Sequence, residues 1–202
     1  MRFIFRPALV AALSLVVFIV ASCSHEGGDQ LERIERLGSW EKKEAAYKDI
    51  VSSSGDRILV SRAIFSLVEG YLEQGKRADA ETYYGKLKSA TRPTNDEIEK
   101  AEIYTIASRA AGILAESYMR SMDYFKASGY IEEEINFLES FNQNISDQLL
   151  VLIDLHTKTC SYDKALAVFD KWSNLYGDAF PELAEATKSK LIDSTNISEV
   201  GT

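Results

Sequence analysis

The chain is poor in the residues that do chemistry. Only two histidines and two cysteines stand among its 202 residues. His25 sits in a polar His-Glu-Gly-Gly stretch that lacks the second histidine of a helical zinc motif. A serine or cysteine triad therefore has little to draw on. There is no phosphate-binding glycine loop, no Gly-x-Ser-x-Gly elbow, no His-Glu-x-x-His and no Cys-x-x-Cys. Carboxylate pairs are plentiful, but on helices they are ordinary surface charge. These absences point away from an enzyme, and no cofactor or metal site is expected. Positive charge is short as well, with 23 Lys and Arg against 31 Asp and Glu, a net −8. The first 22 residues hold Arg2 and Arg6 and no acid, so without them 21 basic residues face 31 acidic ones. Nucleic acid and anionic lipid both reward clustered Lys and Arg, so neither is expected as the main ligand.

What is present is an apolar pattern at helical spacing. A hydrophobic content of 46% is ample for a core, and the length suits one domain or one short solenoid. Residues 63–87 read AIFSLVEGYLEQGKRADAETYYGKL. Leu67, Val68 and Tyr71 share one face of a first helix, and Ala80, Tyr84 and Leu87 share one face of a second. Gly75 makes the turn between them.

This stretch resembles a tetratricopeptide repeat, with Leu67, Val68, Tyr71, Ala80 and Tyr84 at its signature positions. Pro93 comes one place late for that pattern, and Ile64 stands where the family favours Trp. Aligning further units on the small residue of the second helix gives Ala46, Ala80, Ala127 and Ala165, spaced by 34, 47 and 38. The last full unit, 146–177, carries Leu149, Leu152, Ile153 and His156, then Ala165, Phe169 and Trp172. Gly177 is expected to close it in a left-handed cap. Cys160 takes the turn position of Gly75, and His156 replaces the Tyr as a packing residue. The middle unit uses Leu114, Tyr118, Ala127 and Ile131, while Glu132, Glu133 and Glu134 are expected on its solvated side.

The ends read as caps, which solenoids need. Ile34 and Leu37, then Trp40, Ala46 and Ile50, form a partial first unit, and Asp56 is the expected N-cap of the next helix. Pro181 opens a capping helix through Leu183, Ala184, Lys188 and Leu191. The expected fold is thus all-α: a tetratricopeptide-like helical-hairpin solenoid of three to four repeats with a C-terminal capping helix, over 29–193. A flexible tail follows over 194–202. The 47-residue spacing holds 13 extra residues. Thr94 and Glu97 read as a capping box that opens a long helix, through Ile98, Ile103, Ile106, Ala110, Ile113 and Tyr118 to about Met122. Its extra turns are expected to project beyond the stack.

Residues 1–22 have a basic start, an apolar run over 8–20 and small residues before a cysteine, the pattern of a secretory signal peptide. The run is shorter than the ~20 residues a bilayer core needs. Val20-Ala21-Ser22-Cys23 resembles a bacterial lipobox. The resemblance implies a lipoprotein with Cys23 acylated and made residue one, followed by a flexible tether over 23–28. Ser24, where many Gram-negative lipoproteins carry a retaining Asp, implies the outer membrane, facing the periplasm. Cys160 is then the remaining thiol, without an intrachain partner.

Two function classes follow. The first is a lipid-anchored scaffold that holds a protein or peptide in a cell-envelope complex. In the tetratricopeptide family the first helix of each pair lines a concave groove. By position that groove would present Arg62, Phe65, Glu69, Leu72 and Glu73, then Arg109, Gly112, Glu116, Met119 and Arg120, then Asp147, Leu150, Asp154, Thr157 and Lys158. Phe65 and Glu69 stand where the family's carboxylate clamp needs Lys and Asn. The arginines are expected to meet acidic side chains of the partner. Lipobox, tether and repeats together resemble the repeat lipoproteins of outer-membrane β-barrel assembly machines, and transport-accessory lipoproteins share them. The second class is accordingly a transporter-associated binder of a small ligand, its pocket walled by Tyr71, Tyr118 and the inserted helix.

Overall fold

A computed structural model describes the backbone over 25–91 and 96–200 and the side chains over 28–91 and 96–192. The signal segment, Cys23, Pro93 and Thr94 lie outside the described residues. Among those residues all regular structure is helical: α1 His25–Glu35, α2 Trp40–Ser53, α3 Arg57–Glu73, α4 Arg77–Ala90, α5 Glu97–Arg120, α6 Tyr124–Glu139, α7 Ser146–Lys158, α8 Tyr162–Tyr176 and α9 Pro181–Val200. None of these helices is long and apolar enough to cross a membrane.

Local chemistry sets where the helices start and stop. Asp56 caps α3, its carboxylate accepting from the backbone N–H of Ile58 and Leu59 at 2.9 and 3.0 Å. Asp96 caps α5 in the same way, through Ile98 and Glu99. The hairpins α3/α4, α5/α6 and α7/α8 turn on one device. Gly75, Met122 and Cys160 have φ of 70°, 60° and 54°. The next residue's N–H returns to the carbonyl five places back: Lys76 to Tyr71, Asp123 to Tyr118 and Ser161 to His156, at 2.8 to 3.0 Å. This is the left-handed helix-ending motif. Met122 and Cys160 adopt there a backbone that favours glycine. The three turns repeat at the 47 and 38 spacings of the alanines. Gly177 departs from expectation with φ −58°. It stays right-handed, and a Cβ there would meet the Ser173 carbonyl oxygen at 2.5 Å.

Each helix packs on its chain neighbour, with the further pairs α1·α3 and α3·α5. One apolar cluster runs from Ile34 to Leu114 and a second from Ala115 to Leu191, so both meet on α5. Ala80, Ala127 and Ala165 are fully buried, as close helix contacts require. In α2 the face is shifted by one residue: Tyr47 and Ile50 are buried while Ala46 is half-buried. The Ala46 register is therefore not that of the later units. Trp40 lies across α3 at Gly70, where a Cβ would fall 1.9 Å from its ring.

Two further expectations are corrected. The extra turns of α5 do not project freely. Arg57 and Arg62 of α3 pair with Glu99 and Glu102, Ile103 is buried, and Tyr104 packs edge-on against Phe137 and Phe141. Glu134 is not on a solvated side. It faces Gly112 of α5 and accepts from Gln148 Nε2 of α7 at 3.0 Å. Helix also extends into both expected flexible ends. α1 begins at His25 inside the tether, its frame set by Leu31 and Ile34 against the core. α9 runs on to Val200 inside the tail, with no Pro or Gly to stop it.

Candidate functional site

The ion pairs Arg57–Glu99 and Arg62–Glu102 and the contact of Arg109 over Phe65 advance in step along α3 and α5. The two helices are thus parallel, and a groove lies between them. Arg62 to Glu73 spans about 16 Å at 1.5 Å per residue. The groove holds two cavities that share Glu69. One, of about 340 Å³, is lined by Arg62, Phe65, Ser66, Glu69, Glu102, Thr105, Ile106 and Arg109. The other, of about 240 Å³, is lined by Glu69, Leu72, Glu73, Ile113, Glu116, Ser117 and Arg120.

Eight of the expected groove residues meet here: Arg62, Phe65, Glu69, Leu72, Glu73, Arg109, Glu116 and Arg120. Phe65 and Leu72 are half-buried on the first core cluster and keep one side toward the groove. Position transfer missed Glu102, Thr105, Ile106, Ile113 and Ser117 on the α5 wall. The signal for them was the spacing of three and four residues around Arg109 and Glu116. Gly112 faces Glu134 instead, and Met119 packs on the second cluster.

The third helix pair does not join. α7 packs on α6 and α8 and makes little contact with α5. Asp154 is held by Lys158 at 2.6 Å and Lys190 at 3.5 Å, Lys158 lies over the Tyr124 ring, and Leu150 rests on the second cluster. Neither cavity includes Leu150, Asp154 or Lys158, which are corrected out of the groove.

Groove electrostatics also differ from expectation. Arg62 is taken up by Glu102, and Arg120 by Glu116 at 3.1 Å. Arg109 lies 4.8 Å from the Phe65 ring centre, a cation–π contact. Among the described residues Glu69 and Glu73 make no ion pair. The surrounding protein pushes the Glu69 carboxyl above the usual range; Arg109 opposes that rise, and Glu73 adds to it.

A third cavity, of about 310 Å³, sits between α4 and α6, beside Glu81, Tyr84, Lys126, Tyr130 and Glu133. Its polar groups are spent on one another. Glu81 accepts from the Tyr118 and Tyr130 hydroxyls at 2.6 and 2.9 Å. Tyr84 and Lys88 both donate to Glu133. Tyr71 and Tyr118 are buried packing residues: Tyr71 stacks on Tyr83 and donates to Glu44, and Tyr118 stacks on Tyr130. Neither lines these cavities, so they do not wall a ligand pocket with the inserted helix. His156 is buried, its imidazole 3.7 Å from Glu132, and burial lowers its pKa. No cluster of three or more His, Cys, Asp or Glu able to hold a metal occurs among the described residues.

No protein-family model matches this chain, and no curated protein matches it.

Proposed function

We propose that the protein is a lipid-anchored scaffold of the bacterial cell envelope. In this reading it faces the periplasm and holds a protein or peptide segment in the α3/α5 groove. The fold it uses is a tetratricopeptide-like solenoid, supported by three hairpins with the same left-handed turn at the spacing of the buried alanines. The lipobox at Val20, Ala21, Ser22 and Cys23 supports the anchor. The observation that carries the binding role is the groove itself, open, floored by Phe65, Leu72, Ile106 and Ile113, and rimmed by charge.

The test places a photo-crosslinking residue at Leu72, and at Asn174 on α8 as control, in intact cells. Capture of one discrete partner from Leu72, lost when Phe65→Ala is added, is the expected result. Equal capture from both positions refutes the groove. Cys23→Ala should abolish fatty-acid incorporation and leave a larger, unprocessed form, and continued labelling refutes the anchor.

A further inference from the structure

The groove is not electrically uniform along its length. At the Arg62 end Arg62 and Arg109 face Glu102, and Glu69 lies between the two ends. The cavity at the other end has Glu69, Glu73 and Glu116 with a single cation, Arg120, which Glu116 already holds. The surplus is therefore negative beside Leu72 and Ile113.

Two features make that surplus unfavourable to the free protein. Glu69 and Glu73 are four residues apart on one helix face, where like charges repel. Elsewhere that spacing carries opposite charges: Arg36 with Glu32, Lys48 with Glu44, Lys158 with Asp154. The pair also occupies the C-terminal end of α3, which has no basic residue in its last turn. A helix C-terminus carries partial negative charge and favours cations. α5, parallel to α3, ends at Arg120 beside the same cavity. Two helix C-termini and two unpaired carboxylates thus converge on one apolar floor.

We propose that this end of the groove seats a Lys or Arg of a basic amphipathic partner segment, its cation between Glu69 and Glu73 and its apolar face on Leu72 and Ile113. The proposal rests on the groove reading above and reverses the expectation of an acidic partner. A seated cation removes the repulsion within the pair and meets both helix ends, while the apolar contacts supply the larger part of the affinity. The charge contribution is rim-exposed and falls as salt rises.

The test uses the full chain in detergent and three labelled synthetic helical peptides of about 14 residues, roughly 20 Å long. They share one leucine stripe and carry Lys, Glu or Gln at the polar positions. Fluorescence anisotropy reads their affinities. The Lys peptide should bind tightest. The double variant Glu69→Gln with Glu73→Gln should weaken it roughly fivefold, the size of two rim charge contacts, and leave the Gln peptide unchanged. That variant should melt no lower than the parent, because burial and Glu73 together outweigh Arg109 in disfavouring the Glu69 charge. Tightest binding of the Glu peptide, or an unaltered Lys preference in the double variant, overturns the cation seat while leaving the groove standing. If Leu72→Ala and Ile113→Ala weaken none of the three peptides, or none of them binds, the groove reading fails and the cation seat with it.

Discussion

Gly70→Ala isolates one contact on which the N-terminal helices depend. In an ordinary helix interior the change would stabilise, because Gly loses more backbone freedom on folding than Ala, by roughly 0.5–1 kcal/mol. At Gly70 the added Cβ would fall 1.9 Å from Cη2 and Cζ3 of Trp40. No rotation of a methyl relieves that, and the indole must move. It is held from beneath, with Tyr71 edge-on at 5.6 Å, and its Nε1 is buried without a hydrogen-bond partner. Overpacking of this kind costs about 1–3 kcal/mol. Set against the propensity gain, the net loss is about 1–2 kcal/mol, or several degrees in Tm for a chain of this length. The decisive measurement is a double-mutant cycle. With Trp40→Ala already in place the clash is gone, and Gly70→Ala should raise stability by up to about 1 kcal/mol. The sign reversal, a coupling of roughly 2–3 kcal/mol, is read by urea denaturation followed by circular dichroism. If Gly70→Ala raises stability in the parent too, Trp40 does not lie across α3 and the packing of α2 is wrong.

Other expectations are shorter. Ala80→Trp and Ala165→Trp each place a large ring at a fully buried helix contact and should cost about 1–3 kcal/mol or more; unchanged melting in both would refute the helix register. Glu81 offers a pH test. Burial pushes its carboxyl up, but the Tyr118 and Tyr130 hydroxyls and Lys126 together outweigh that and hold it below the usual range. A carboxylate lowered in the fold adds stability above its unfolded pKa and loses it as pH falls through the folded one. Glu81→Gln should therefore cost about 1 kcal/mol at neutral pH, after allowance for solvent screening, and nothing in strong acid. Melts across that range check it, and a constant cost refutes it.

The helices and their turns were legible because they rest on local chemistry. Period 3.6 in 63–87, Asp56 as a cap and Gly75 as a turn are each readable within a few residues. Cys160 was placed in a turn only by analogy with Gly75, and nothing local announces that Met122 takes the same backbone. What escaped was set by partners distant in sequence. The α5 wall of the groove depends on how α5 rotates against α3, and the pairing of Arg62 with Glu102 spans 40 residues. Position transfer could name the arginines and could not see that two of them were already neutralised. Glu134 escaped for the same reason: three consecutive glutamates read as a solvated face, and only the fold shows that one of them fills the space beside Gly112.

Glu134 beside Gly112 also accounts for where the groove ends. Two first helices lie side by side only if their facing residues are small or apolar enough to touch, as α3 and α5 do around Phe65 and Ile106. Between α5 and α7 the corresponding space is taken by a side chain from α6. Glu134 approaches Gly112, with 3.1 Å left to an added Cβ, and its carboxylate is bonded to Gln148 of α7. Burial there pushes the Glu134 carboxyl up, so its charge is unfavourable to the fold at neutral pH. A polar wedge at this point separates what would otherwise be a continuous wall. It also marks where one apolar cluster gives way to the next, at Leu114 and Ala115. The third hairpin is left to pack through α6, its Asp154 and Lys158 bound into contacts with each other, with Lys190 and with Tyr124. The groove is therefore bounded by α3 and α5 alone, and its length is set by the stretch from Arg62 to Glu73.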